Sequence, residues 1–237
     1  MNKAKWLKIE IECTHKKIVD LVRLAQFNER VGYGFDLSFR DGKKVGLRFI
    51  EKIASVEVIT DPYGVSTSVE TTRYSSIQFQ LYVFSAGDTT RYFMEVNSPP
   101  RSLRTLVAAL ANTAPGVTVS EVDIPVLDVF AVLRRSSITA RLTRIKASQL
   151  KLTEDSVAKV DVVSTKNAAA DLKRFFPSND VTVDKIRVDR PFGSLAHAVE
   201  LTRTGLISVD AAYTETASQF VLDLLTKHYQ ETSKEEW

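Results

Sequence analysis

Cysteine is almost missing from this chain: Cys13 is the only one in 237 residues. No intrachain disulfide can form and no paired-thiol metal or redox motif exists, which points to a reducing, cytoplasmic setting. Glycine is scarce, at nine residues, and none of them builds a Walker loop or a dinucleotide fingerprint. Histidine occurs three times, at His15, His197 and His228, too widely spaced for an HExxH metal site. Long apolar runs are missing as well. The longest, around residues 106–111, is a turn or two of helix and far short of a membrane span. The opening segment MNKAKWLKIEIE has no apolar core and does not read as a secretory signal. Any membrane role therefore has to come from a membrane-protein partner on another chain.

What is present is the composition of an ordinary soluble domain, 44% hydrophobic and 26% charged, with a net charge of +3. A charge this small implies a local basic patch and not a wholly basic protein. One stretch stands apart, RRSSITARLTRIKASQLK at residues 134–151. It holds Arg134, Arg135, Arg141, Arg144, Lys146 and Lys151, and no acidic residue falls between Asp128 and Glu154. Ile138, Ala140 and Leu142 alternate with Thr139, Arg141 and Thr143, which predicts a strand. Ile145 breaks the alternation, which predicts a bulge. Arginine and threonine on one strand face can grip phosphates through charge and hydroxyl hydrogen bonds. The competing reading is a solvated strand whose charges discourage edge pairing.

Along the chain, residues 6–12 read as a strand and 15–27 as a helix capped by Thr14. Residues 33–40 and 45–58 form a hairpin around Asp41-Gly42. Residues 65–74 read as an irregular loop or short edge strand. Strands follow at 77–84 and 90–96. A helix opens at Ser98-Pro99-Pro100, and an extended crossing covers 117–126. Residues 127–133 lead into the basic strand. Residues 156–163 are a strand, 165–176 a helix, 177–180 a turn, 181–188 a strand with a phase slip, 194–202 a helix and 215–229 a final helix. The fold class is α+β, with mostly antiparallel sheets, packed helices and two loosely separated halves, residues 1–125 and 126–237.

Catalytic chemistry finds little support. Cys13 and His15 stand two apart and can pair as a nucleophile, but a buried cysteine beside a helix-entry histidine explains them equally. Asp36 with Asp41, or Asp184 and Asp189 around Lys185, are the carboxylates a metal nuclease would need; surface strands carry such charges routinely. Phe175, Phe176 and Phe192 lie near basic residues, at core-like positions that argue against base stacking. No catalytic residue, metal ligand or cofactor is assigned.

The second half runs from the basic strand through a short apolar strand to a helix ending Lys173-Arg174-Phe175-Phe176-Pro177-Ser178. The strand VTVDKIRVDRP and a closing helix with LDLLTKHY follow, and RYFMEVNSPPRSLRTLVAAL lies upstream. This order resembles the RexA-like phage-exclusion family of lambdoid phages over about two-thirds of the chain. The resemblance implies a homodimeric, non-catalytic protein that binds DNA with little sequence preference in phage exclusion or abortive infection, and signals to a membrane partner. Its implied DNA-binding positions are Arg134, Arg135, Arg141, Arg144, Lys146, Lys173 and Arg174. The rival readings are a protein-interaction subunit of a defence complex and an enzyme with a dispersed site.

Overall fold

A computed structural model describes residues 1–153, 155–176, 181–191 and 198–231. Among these, eleven strands and five α-helices form a mixed fold, and every ladder with an assigned register is antiparallel. The residues group into two compact units, Lys8–Ser120 and Met1–Leu7 with Glu121–Trp237. Strand β1 (Asn2–Ile11) contributes to both.

In the unit Lys8–Ser120 the strand order is β2 (Tyr33–Asp41), β3 (Lys44–Thr60), β4 (Ser66–Ser85), β5 (Thr90–Asn97), then β1, which the short β6 (Thr118–Glu121) also pairs. Phe49, Phe79 and Leu81 alternate with exposed Arg48 and Gln78, so one sheet face is apolar. Phe35 lies 5.5 Å from Phe49 and 6.3 Å from Phe79, ring centroid to centroid, at the centre of that face. Helix α1 (His15–Leu24) buries Ile18, Val19 and Val22, while Leu24 is exposed. The β2–β3 turn is Gly42-Lys43, one residue later than Asp41-Gly42, because Asp41 pairs with Lys44.

Of the two readings for residues 65–74 the strand holds: residues 66–74 belong to β4, which is long and not short, and β3 and β4 stay in register from Lys44↔Tyr82 to Thr60↔Ser66. Residues 54–74 are all exposed, so the distal hairpin is a two-stranded arm standing clear of the sheet core. Helix α2 (Arg104–Thr113) starts later than the prolines predict. Ser98 adopts φ +47°, and the residue before a proline is disfavoured in the right-handed helical region, so the helix does not begin at 98–100.

In the other unit the order is β1, β11 (Leu206–Val209), β10 (Ala198–Thr202), β9 (Thr182–Asp189), β7 (Arg141–Thr153), β8 (Ser156–Val163). Residues 127–133 lie in helix α3 (Val126–Ser136), since Val126, Val129, Phe130 and Leu133 recur at helical spacing and are buried. Residues 198–202 form a strand and not a helix, because Val199 and Leu201 alternate with Glu200 and Thr202 and pair with β9. The rest of that expected helix, 194–197, lies outside the described residues, as do the expected turn at 177–180 and the polar tail beyond 231. α3 and α5 (Thr214–Glu231) cover one face of β9, β10 and β11 around a void of about 10 Å³ lined by Leu133, Ile186, Leu201 and Val221. α4 (Ala168–Phe175), capped by the Asn167 side chain, lies against β7 and β8. Among the described residues the opposite face is open, with the side chains of Lys146, Lys185 and Arg187 a third to a half exposed.

Candidate nucleic-acid interface

The basic stretch divides between two elements. Arg134 and Arg135 end helix α3, where cations complement the negative end of the helix dipole. Residues 137–140 form the turn that follows, so Ile138 is 96% exposed and not part of a strand. The strand begins at Arg141. It is an interior strand, paired with β9 on one side and β8 on the other, so its charges do not protect an edge.

Two irregularities in β7 decide which way its side chains point. The register against β9 slips between Leu142 and Arg144, and against β8 between Ala147 and Leu150, where Gln149 takes φ +57°. Each extra residue reverses the alternation. Leu142, Ile145, Ala147 and Leu150 therefore all turn to the buried side, though their numbers differ in parity. Arg141, Arg144, Lys146 and Lys151 all fall on the open side, opposite Asp189, Arg187, Asp161 and Val157 respectively. Without the bulges, half of these cations would face the core.

Neighbouring strands add charge from outside the basic stretch. Lys185 and Arg187 of β9 and Lys159 of β8 share the open face. The signal was present, since Lys185 and Arg187 alternate with buried Ile186 and Val188. The Arg144 guanidinium forks onto Asp161, with Nε to Oδ1 at 2.7 Å and Nη2 to Oδ2 at 2.5 Å; Lys146 Nζ lies 3.5 Å from Oδ2. The Arg144 hydrogen bonds hold the Asp161 carboxyl down to about 2. Lys185 donates to Glu200 at 2.5 Å and Arg187 Nη1 lies 3.6 Å from the same carboxylate, so Glu200 also sits below the usual carboxylate range, chiefly through Lys185. Arg141 has no ion-pair partner among the described residues.

These side chains surround a basin of about 420 Å³ lined by Lys146, Lys159, Lys185 and Arg203, with Asp161, Asp184, Thr202 and Thr204. Cations outnumber carboxylates there, and two hydroxyls stand beside them. The volume falls within the range of sites for small ligands. A phosphate oxygen can accept hydrogen bonds from both kinds of donor.

The remaining sequence candidates do not join this face. Lys173 and Arg174 occupy the last turn of α4 and, with Arg134 and Arg135, belong to the helical layer. The eight expected positions thus form no single patch. Phe175 is 71% exposed, contrary to a core position, Phe176 is half-buried, and Phe192 lies outside the described residues. Cys13 is buried and its thiol is pushed up by desolvation. His15 is pushed down, and its Nδ1 meets the Tyr92 hydroxyl at 2.9 Å. Both shifts favour neutral groups, the reverse of a thiolate–imidazolium pair. Asp36 is salt-bridged to Arg48 at 2.6 Å. Among the described residues no three of His, Cys, Asp and Glu gather to hold a metal, and no helix is long and apolar enough to cross a membrane.

No protein-family model matches the chain, and no curated protein matches it. Among solved structures, the chain is similar to the di-domain ARO/CYC BexL from the BE-7585A biosynthetic pathway, at 13% identity over 95% of this chain and 94% of that one. The TM-score is 0.22, and a likeness at that level carries no argument.

Proposed function

We propose that the open face of the β7–β10 sheet binds nucleic acid through its phosphates, without catalysis and with little base preference. The observation that carries this reading is the placement of Arg141, Arg144, Lys146 and Lys151 on one face by two bulges, beside Lys159, Lys185 and Arg187. The solvated face of an antiparallel sheet is commonly polar; what favours an anion here is that the seven cations outnumber Asp161, Asp189 and Glu200 on the same face. The carboxylates on this face, Asp161, Asp189 and Glu200, hold the arginine and lysine heads at fixed spacing, which lowers the ordering cost of a phosphate contact. A sheet face carries no recognition helix, so the contacts are positional. The setting in phage exclusion or abortive infection, and a role upstream of a membrane partner, rest on the family resemblance alone.

Titration of unrelated labelled duplexes across a salt series tests the proposal. Log affinity falls linearly with log salt, by about 0.9 for each phosphate neutralised. Exchanging Lys146 and Lys185 for Glu lowers affinity by about tenfold or more at low salt while leaving Arg134 and Arg135 in place. Salt-independent binding, no binding at low salt, or wild-type affinity in the folded double variant would defeat it.

A second reading, a protein-interaction subunit, is favoured by the β3–β4 arm. Between residues 53 and 72 it carries Glu57, Asp61 and Glu70 and no cation, with Val56, Val58, Ile59 and Tyr63 exposed. A negative arm is unsuited to phosphate and suited to a protein surface. Duplex binding that survives removal of the arm separates the two readings.

A further inference from the structure

Strand β8 (Ser156–Val163) pairs with β7 along one side, and no described strand pairs with its other side. An unpaired edge presents a row of amides and carbonyls to any strand that can match it. The direction of these groups follows from one bond: the Ser164 amide donates to the Thr143 carbonyl at 2.9 Å. Backbone groups alternate direction along a strand. Ser164, Val162 and Val160 therefore turn theirs toward β7, and Val163, Asp161, Lys159 and Val157 turn theirs outward. The same four residues place their side chains on the open face, where Val157 is 69% and Val163 74% exposed.

We infer that β8 is the seam of a two-fold homodimer, in which β8 pairs antiparallel with β8 of a second copy about Val160. The segment VAKVDVV reads as a charge palindrome around that residue. In this register Lys159 faces the partner's Asp161, Asp161 faces the partner's Lys159, and Val157 faces the partner's Val163. All of these are outward-bonding positions, so each pair exchanges its backbone hydrogen bonds. The neighbouring registers allowed by the same bonding pattern fail on charge. Centring on Lys159 sets two lysines face to face, and centring on Asp161 sets two carboxylates face to face, and like charges directly opposite are destabilising. Lys159 has no ion-pair partner among the described residues, so it is free to complete the Arg144–Asp161–Lys146 cluster across the seam. An isologous contact of this kind closes on itself and does not propagate into fibres.

The seam also bears on phosphate binding, although it does not depend on it. A two-fold axis perpendicular to the sheet puts both open faces on the same side, so a dimer presents Arg144, Lys146, Lys185 and Arg187 twice to one ligand.

The test uses the full chain without nucleic acid. Sedimentation from 1 to 200 µM is expected to show a monomer–dimer equilibrium with a dissociation constant on the order of 10 µM, because a single short ladder is small beside a standard interface. K159D sets a carboxylate against the partner's Asp161 and is expected to weaken association about tenfold or more with unchanged melting. Mixing K159D with D161K restores association, since each chain then finds opposite charge in the other. A register test stands apart from any cost of D161K to folding. V160C places two thiols at a non-hydrogen-bonded pair, about 4.5 Å apart at Cα and within disulfide reach. V160C is expected to cross-link under mild oxidation, whereas V162C, which faces the partner's Ala158, does not. Buried Cys13 supplies no competing thiol. A monomer throughout the range, unchanged association in K159D, or V162C cross-linking as readily as V160C would overturn the inference.

Discussion

Asp161 shows how much one residue can hold on an open sheet face. It receives the fork of Arg144 and lies within ion-pair distance of Lys146, and its carboxyl is held at about 2. An unfolded aspartate titrates near about 3.9. The folded value is the lower one, so the cluster stabilises the fold fully above about pH 4. That contribution is lost as pH falls from about 4 toward 2. The side chain is 38% exposed, so solvent screens the effect and its size is modest. Replacing Asp161 with Asn should flatten the acid limb of a melting-temperature series between pH 5 and 2. Parallel curves for the two proteins would mean the cluster contributes nothing. Gly34 gives a steric counterpart. A Cβ there would lie 2.3 Å from the Phe27 backbone, which cannot swing aside as a side chain can. Gly34→Ala is expected to cost about 1–3 kcal/mol in chemical denaturation; a loss below a few tenths would show that residues 26–28 yield freely. The sequence does not show the backbone approach that requires Gly34, because Phe27 reaches it by tertiary packing. Arg144 was ambiguous in the same way, since its facing depends on a bulge that single-strand periodicity registers only as a slip.

At the scale of elements, β7 and the β3–β4 arm reward comparison. In β7 the apolar residues outline where the strand must change phase, and the structure supplies the cause, an extra residue at Thr143 and another near Gln149. At residues 65–74 the sequence leaves a loop and a short edge strand open, and the structure has a strand, longer than expected. Threonine and serine crowd that segment with no apolar face, and the usual sign of a strand is a face to bury. What holds it extended is the ladder to β3, anchored at the base where Lys52 and Tyr74 both bond Glu29, at 2.8 and 2.6 Å. A two-stranded ribbon in water is only marginally stable by itself. Amide hydrogen exchange should therefore be fast across residues 54–72 and slow at Phe49, Ile77 and Phe79. Uniform protection along β3 would show the arm to be covered. Replacing residues 55–71 with a two-residue Asn-Gly turn should leave the melting temperature within a few degrees of wild type, because this part of the ladder adds nothing to the apolar core. A collapse of solubility or melting would place structural work in the arm.

For the molecule as a whole, pairing across long sequence separations is the main feature. Asn2–Lys5 of β1 pair with Leu206–Val209 of β11, and the Trp6 amide donates to the Gly205 carbonyl at 2.8 Å. Contacts of this separation slow folding, since a long loop must close before they form. Deleting residues 1–5 removes this ladder and uncovers an apolar strand edge, so it should lower the melting temperature by several degrees and promote aggregation. Calorimetry showing an unchanged transition would mean that β11 does not need its partner. The sequence by itself determined the local pieces: the absence of disulfide, HExxH and nucleotide-loop chemistry, most strands and helices, the antiparallel character, and the cationic stretch with its phase slip. Those follow from composition and from periodicities of two and 3.6 residues, which short windows carry in full. The tertiary structure alone decided that β7 is interior, that the expected cations divide between an open sheet and a helical layer, and that Lys159, Lys185 and Arg187 complete the face. It also decided that β8 has no partner on its outer side among the described strands. The physical reason is the same each time: strand order and register are set by hydrogen bonds between residues far apart in the chain, and no window of neighbours contains them.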